Sequence, residues 1–251
     1  MMQITLGNER ICEVCGEPSE REIVLGAGVT RWMLLPCACR RARDEERAKK
    51  NREEAEARIS AGRVALVAKI QKQTPPAYQD VPLDAKLQQF ADSFNGSRWL
   101  ILRGAVGTGK TTQGYALVKY LANAGKLDAE IGDYRRRFEC WNVARWLSAA
   151  RAAFSGNGEV PDLEEPFLLF LDDLGAERIK RDSDGDSWAR EQLYLVLNTR
   201  WEWRRPTIIT TNLSAKRVEE HFLDERIADR IFDTSLTTIV TLTGESFRRK
   251  R

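Results

Sequence analysis

Eight consecutive residues, Gly104-Ala105-Val106-Gly107-Thr108-Gly109-Lys110-Thr111, follow the spacing G-x-x-x-x-G-K-[ST]. The glycines let backbone N–H groups turn inward around an anion, where side chains would obstruct the approach. Lys110 adds a charge that reaches β- and γ-phosphate oxygens. Thr111 adds a hydroxyl suited to Mg²⁺, and Thr112 extends the same helix start. The chemistry this pattern predicts is binding of ATP with Mg²⁺. Further along, Phe167-Leu168-Leu169-Phe170-Leu171-Asp172-Asp173 is an apolar run closed by two carboxylates. Asp172 is placed to hold the Mg²⁺ shell, and Asp173 to orient or activate an attacking water. Glu177 is a weaker candidate base. The run Pro206–Asn212 ends Thr210-Thr211-Asn212. The Asn212 amide can face the γ-phosphate or the attacking water; alternatively it caps the next helix, a role Ser214 could share. Arg226 and Arg230 stand four apart in a helical stretch and so share one face. One of them, Arg230 ahead of Arg226, is a candidate arginine finger for a neighbouring subunit. The alternative is local pairing with Glu225, Asp229 or Asp233.

A second constellation lies near the N-terminus. Cys12 and Cys15 form C-x-x-C, and Cys37 and Cys39 form C-x-C. Two knuckles of two thiolates suit a tetrahedral Zn²⁺. Four sulfurs close the site to substrate, and the chain's one histidine, His221, is remote, so the zinc is expected to be structural. A forty-residue module buries little core, and a metal would supply its stability. The fifth cysteine, Cys140, is isolated.

These residues need elements to hold them. Between the knuckles, Glu20–Leu25 and Val29–Leu35 are expected to form a ribbon hairpin. Residues 41–74 read as a charged, solvated linker helix with a bend or break at Gly62. Thr74-Pro75-Pro76 stops helical propensity. The expected division is a zinc module over 1–40, a helical linker over 41–74 and a nucleotide-binding domain over 75–251. In that domain Trp99–Gly104 is a strand leading into the phosphate loop, and Thr111–Gly125 is an amphipathic helix. Strand Arg136–Trp141 follows, then helix 143–154 with Asn142 as its cap. The acidic strand, helix 191–203, strand 206–212 and strand 237–242 complete the alternation. Continuous apolar strands separated by helices predict an α/β fold with a parallel sheet covered on both faces. The loop 178–186 is charged and expected to be mobile.

Composition narrows the setting. A hydrophobic share of 42% with 31% charged residues suits a globular chain, and no apolar run is long enough to span a membrane. The N-terminus lacks the features of a secretory signal, so a cytoplasmic, thiol-reducing setting is expected. The net charge is only +3, yet Arg135–Arg137 and the terminal Arg248-Arg249-Lys250-Arg251 are basic clusters. They read as solvated surface or as phosphate-backbone contacts.

The motifs GAVGTGKT, FLLFLDDLGAE, PTIITTN and DERIADRI, in this order, resemble the DnaC/DnaI-type helicase loaders and the related IstB-type transposition ATPases of the AAA+ class. The resemblance runs from about Pro75 onward. It implies an AAA+ P-loop fold with a five-stranded parallel sheet, and an ATP-dependent oligomer. It implies a hexameric DnaB-type helicase as partner, placed on single-stranded DNA, with the helix 143–154 falling where such proteins carry a DNA-linked element. It also implies that the four-cysteine module contacts the helicase. Two departures stand out: Asp173 occupies a position where many AAA+ relatives have Glu, and too few residues follow Arg230 for a full helical lid. Arg248 or Arg249 could substitute for a lid-borne arginine. Competing expectations are an IstB-type helper of a transposase, an ATP-dependent DNA-binding adaptor with little hydrolysis, and a small-metabolite kinase, which would leave the TTN strand and paired arginines without purpose.

Overall fold

The structure, a computed structural model, describes residues 5–25, 29–128, 138–156, 158–176, 184–222, 224–244 and 246. The Arg135–Arg137 cluster, Glu177, Arg248 and Arg249 lie outside these described residues. The chain divides into two units, Met1–Arg58 and Ile59–Arg251.

In the first unit, β1 (Thr5–Ile11), β2 (Pro18–Leu25) and β3 (Val29–Leu34) form an antiparallel sheet in that order. The expected hairpin is β2–β3; β1, which precedes the first knuckle, was not expected. Cross-strand pairs Arg21–Glu9 at 2.5 Å and Arg10–Glu20 at 3.0 Å tie β1 to β2, and the Arg10 guanidinium lies 4.0 Å from the centre of a Trp32 ring. All of β3 is exposed, including Val29, Trp32, Met33 and Leu34.

The division between units falls inside one helix, α1 (Ala38–Gln73). Contrary to the expected break, α1 runs unbroken through Gly62. Side chains from Arg41 to Arg58 are exposed, as a solvated linker should be. Beyond them the helix changes character. Gly62, Leu66 and Ile70 recur every fourth residue and are buried, which makes one apolar stripe. Arg63 pairs with Asp128, and Lys69 donates to the Phe138 carbonyl and to Glu139, both at 2.7 Å. The last turns of α1 are therefore part of the second unit's packing. Gly62 sits on the packed face of the helix.

The second unit continues with α2 (Ala85–Asp92), capped by Asp84, then β4 (Trp99–Arg103), α3 (Lys110–Asn123) and β5 (Phe138–Asn142). Next come α4 (Val143–Phe154), β6 (Leu168–Leu174), α5 (Asp184–Glu202) and β7 (Thr207–Thr211). It ends with α6 (Ala215–Phe222), α7 (Glu225–Ile231) and β8 (Thr237–Thr241). Asn142 caps α4 as expected, accepting from the Arg145 N–H. Helix α5 begins at Asp184, inside the stretch read as a loop.

Among the described residues the second sheet has five strands, all parallel, in the order β5-β6-β7-β4-β8. Alternate strand residues face opposite sides. Trp99, Ile101, Leu169, Leu171 and Ile209 pack with α4, α5, α6 and α7. Leu100, Leu102, Leu168, Phe170 and Ile208 pack with α1, α2 and α3. This is the doubly covered sheet that continuous apolar strands require. The carboxyl ends of β4, β6 and β7 meet along one edge, the crevice where parallel α/β sheets take ligands.

At the opposite ends of β6 and β7, Arg200 of α5 is fully buried. Its guanidinium donates to the carbonyls of Leu163, Glu164, Pro166, Phe167 and Pro206 and to the Thr207 hydroxyl, at 2.7–3.2 Å. Burial lowers its pKa to about 9, still charged at neutral pH.

Candidate functional site

The phosphate loop joins β4 to α3. Gly107 and Gly109 have φ of 87° and 84°, a region that favours glycine. Gly109 is the residue just before α3, so Lys110 and Thr111 open the helix at its electropositive end. A β-carbon on Gly107 would also collide with the hydroxyl of Ser246, which lies against the loop.

Lys110, 6% exposed, is folded into the loop. Its ammonium donates to the Gly104 and Ala105 carbonyls at 2.9 Å and to Asn212 Oδ1 at 2.5 Å. The structure thereby brings Asn212 to Lys110, the lysine expected to bind phosphate. The helix after it is instead capped by Ser214, whose Oγ accepts from the Arg217 N–H. Leu213 connects two loops: a β-carbon on Gly175, at φ 89°, would run into it, and its N–H donates to the Thr211 hydroxyl, which donates to the Leu174 carbonyl. The segment carrying Asn212 is locked to the segment leaving β6.

Thr111 Oγ1 donates to Asp172 Oδ1 at 2.8 Å. Asp172 is 8% exposed. Burial raises its pKa and the Asp173 charge adds to this; hydrogen bonds from Thr210 and Thr111 and the charge of Lys110 oppose it. The strand pairing shows how the two successive acids are carried at the end of β6. Leu171 pairs with Ile209 but Leu174 with Thr211, so β6 carries one extra residue. This is a β-bulge at Asp172-Asp173, and Asp173 takes a left-handed φ of 60°. A straight strand would send the two carboxylates to opposite faces. The hydroxyl and carboxylate, both hard oxygens, suit Mg²⁺, and the glycine loop with Lys110 suits a triphosphate. Thr210, whose hydroxyl meets the Asp172 carboxylate and the Asp173 backbone N–H, carries no sequence signal, because a threonine in an apolar strand looks like ordinary strand composition.

Arg226 and Arg230 do share a face of α7, and each lies on an aromatic ring of α5. The Arg226 guanidinium is 4.3 Å from the centre of a Tyr194 ring and bonds Asp224, the α7 cap. Arg230 lies 4.2 Å from a Trp201 ring centre and bonds Asn198 and Asp229. Arg226 is the more exposed, 62% against 24%.

In the first unit, the four sulfurs of Cys12, Cys15, Cys37 and Cys39 lie within 4.8 Å of one another. Cys12–Cys39 and Cys37–Cys39 are 3.3 and 3.4 Å apart. A zinc tetrathiolate with ~2.3 Å bonds has sulfur–sulfur edges of about 3.8 Å, so the cluster has the dimensions for one Zn²⁺. The N–H groups of Val14 and Cys15 pull the Cys12 thiol down to about 6, while its neighbouring thiols push Cys39 up to about 12. Cys140 is unlike them. Burial pushes its thiol up to about 12, and it donates to the Tyr115 hydroxyl at 3.2 Å.

The family described as IstB-like ATP binding protein matches residues 85–251. A putative ATP-binding protein of insertion sequence IS232 from Bacillus thuringiensis subsp. berliner is 33% identical over 85 residues. That match spans 33% of this chain and 31% of the relative's length. Among solved structures, the DnaC helicase loader superposes with a TM-score of 0.52 at 19% identity, covering 67% of this chain and 100% of that one. A putative primosome component from Streptococcus pyogenes serotype M3 gives 0.51 at 20% identity, over 69% and 91%. DnaI gives 0.51 at 18%, over 69% and 93%. At these identities the likeness is one of fold, and it agrees with the five-stranded AAA+ P-loop architecture. No helix among the described residues is long and apolar enough to cross a membrane.

Proposed function

The chain belongs to the family of IstB-like ATP binding proteins, and from that premise we propose that it is a Mg²⁺-dependent ATPase that loads a hexameric DnaB-type helicase onto single-stranded DNA. The observation that carries the ATPase reading is the hydrogen bond from Thr111 to Asp172 beneath the glycine loop. Thr111 and Asp172 would hold Mg²⁺, which neutralises charge on the phosphates. Lys110 would leave its loop carbonyls for the β- and γ-phosphate oxygens, and its release frees Asn212 to turn toward the attacking water. Asp173, at the bulge, orients that water. Its shorter side chain relative to Glu fits a slow reaction regulated by partner or DNA. Arg226 or Arg230 would reach the nucleotide of a neighbouring copy in an ATP-dependent oligomer, leaving its aromatic ring to do so.

The DNA part of the reading is supported by α4 and α5. Phe154 is 64% exposed and meets Trp188 edge-to-face at 5.4 Å. The Arg151 guanidinium lies 5.6 Å from the Trp188 ring centre. Exposed aromatic rings beside a cation stack unpaired bases without regard to sequence. The helicase part is supported by the first unit, where a zinc-sized cysteine cluster anchors an exposed apolar edge strand, β3. Such a strand can pair with a partner's backbone.

The mass of this chain mixed with the DnaB-type helicase of the same genome, with and without ATP, tests the loader reading. A complex that is lost when the Cys12–Cys39 module is removed is the expected result. No complex under any nucleotide condition overturns it. The 33% identity to the insertion-sequence protein favours a second reading, an ATPase helper of a transposase. The same measurement with a transposase distinguishes the two.

A further inference from the structure

Thr210 sits on β7 beside the acidic end of β6 and is 0% exposed. Its hydroxyl accepts the backbone N–H of Asp173 at 2.8 Å and donates to Asp172 Oδ1 at 2.7 Å. A hydroxyl has one proton, and the Asp173 amide can only donate, so the Thr210 proton is committed to Asp172. One hydroxyl thus ties the Asp172 carboxylate to the N–H of the peptide that joins it to Asp173. Its contacts lie at the β-bulge, where Asp173 holds a left-handed φ of 60°, a conformation a non-glycine residue keeps only when its surroundings enforce it.

We propose that Thr210 is a positioning residue of the hydrolytic centre, whose hydroxyl holds the Asp172–Asp173 peptide so that one carboxylate faces the metal position and the next faces the water position. This rests on the ATPase reading above. Thr210 and Thr111 converge on Oδ1 of Asp172, which would leave Oδ2 as the oxygen offered to a bound Mg²⁺. A threonine present only for strand propensity would be replaceable by valine, which has nearly the same shape and a similar preference for strands. The hydroxyl is what the geometry uses.

The test compares wild type with Thr210→Val, Thr210→Ser, Asp172→Asn and Lys110→Ala. It measures hydrolysis against ATP, Mg²⁺ and pH, binding of a fluorescent ATP analogue, and thermal melting. Thr210→Val is expected to bind nucleotide within about twofold of wild type but to turn over ~10- to 100-fold more slowly, the effect of losing a hydrogen bond to a charged group. It should need more Mg²⁺. Thr210→Ser should recover most of the rate. Wild-type turnover and Mg²⁺ requirement in Thr210→Val, with Asp172→Asn inactive, overturn the role of Thr210 alone. Failure of Thr210→Ser to recover the rate also overturns it. Wild-type hydrolysis in Asp172→Asn overturns the underlying site. If the valine variant does not fold, Thr210→Ala carries the same comparison.

Discussion

Burial and chemistry pull against each other at Asp172. Its folded pKa is raised, chiefly by desolvation. Such a carboxyl adds stability while it is protonated, below its unfolded pKa, and loses that contribution as pH rises through the folded value. At neutral pH the ionised form is therefore a net penalty. Thermal melts without nucleotide should show Asp172→Asn more stable than wild type at about pH 8, with the gap closing toward about pH 4, while hydrolysis is abolished. Lys110→Ala should leave the melting temperature nearly unchanged, because its partners are loop carbonyls and Asn212. It should weaken ATP-analogue binding ~10- to 100-fold, read by titration. The motif residues were legible from spacing, because G-x-x-x-x-G-K-[ST] is a local pattern with a local mechanism. The tie from Lys110 to Asn212 was not, since it joins residues 102 positions apart.

Helix α5 shows how one element can organise two strands. Arg200 places a guanidinium where five carbonyls and a hydroxyl converge. Arg200→Ala should destabilise the second unit by ~3 kcal/mol or more in urea unfolding, because it leaves buried acceptors unmet. Arg200→Lys cannot reach the same set and should be intermediate. Helix α7 separates its two arginines by environment. Arg230→Ala should lower both stability and hydrolysis, since the side chain packs on Trp201 and bonds Asn198. Arg226→Ala should change stability little, as for an exposed ion pair. If Arg226 is the finger, hydrolysis by the assembled protein falls while nucleotide binding stays; mixing each variant with a Lys110→Ala subunit assigns the role. The sequence showed the shared face, but both aromatic partners come from α5, and only packing identifies them.

The two units rest on different sources of stability. Ile59–Arg251 buries two apolar layers around its sheet. Met1–Arg58 has Cys37 as its buried residue among those described and leaves β3 exposed. A zinc-selective chelator with Mg²⁺ kept in excess, or Cys15→Ser, should therefore unfold the first unit and leave ATP-analogue binding by the second intact. Hydrogen exchange read separately over residues 5–25 and 99–123 checks this, and metal analysis should find one zinc per chain. Loss of nucleotide binding on chelation would show that the units are not independent.

The chain's local patterns were enough to reveal the phosphate loop, the acidic strand, the Asn142 cap, the four-cysteine cluster and the alternation of strands and helices. The loop, the acidic strand and the cap depend on spacing within one or two turns or along one strand, where chain geometry dictates which side chains are neighbours, and the cysteine knuckles, 27 residues apart from Cys12 to Cys39, were legible from residue type. Folding alone revealed that α1 continues through Gly62 into the core, that β1 completes the N-terminal sheet, and that β6 bulges at Asp172-Asp173. The same holds for the Thr210 hydroxyl, the Arg200 junction and the approach of Ser246 to Gly107. In a parallel sheet, neighbouring strands are separated in the chain by whole helices. Which hydroxyl meets which carboxylate is then set by strand order and register, and these follow from packing both faces of the sheet at once.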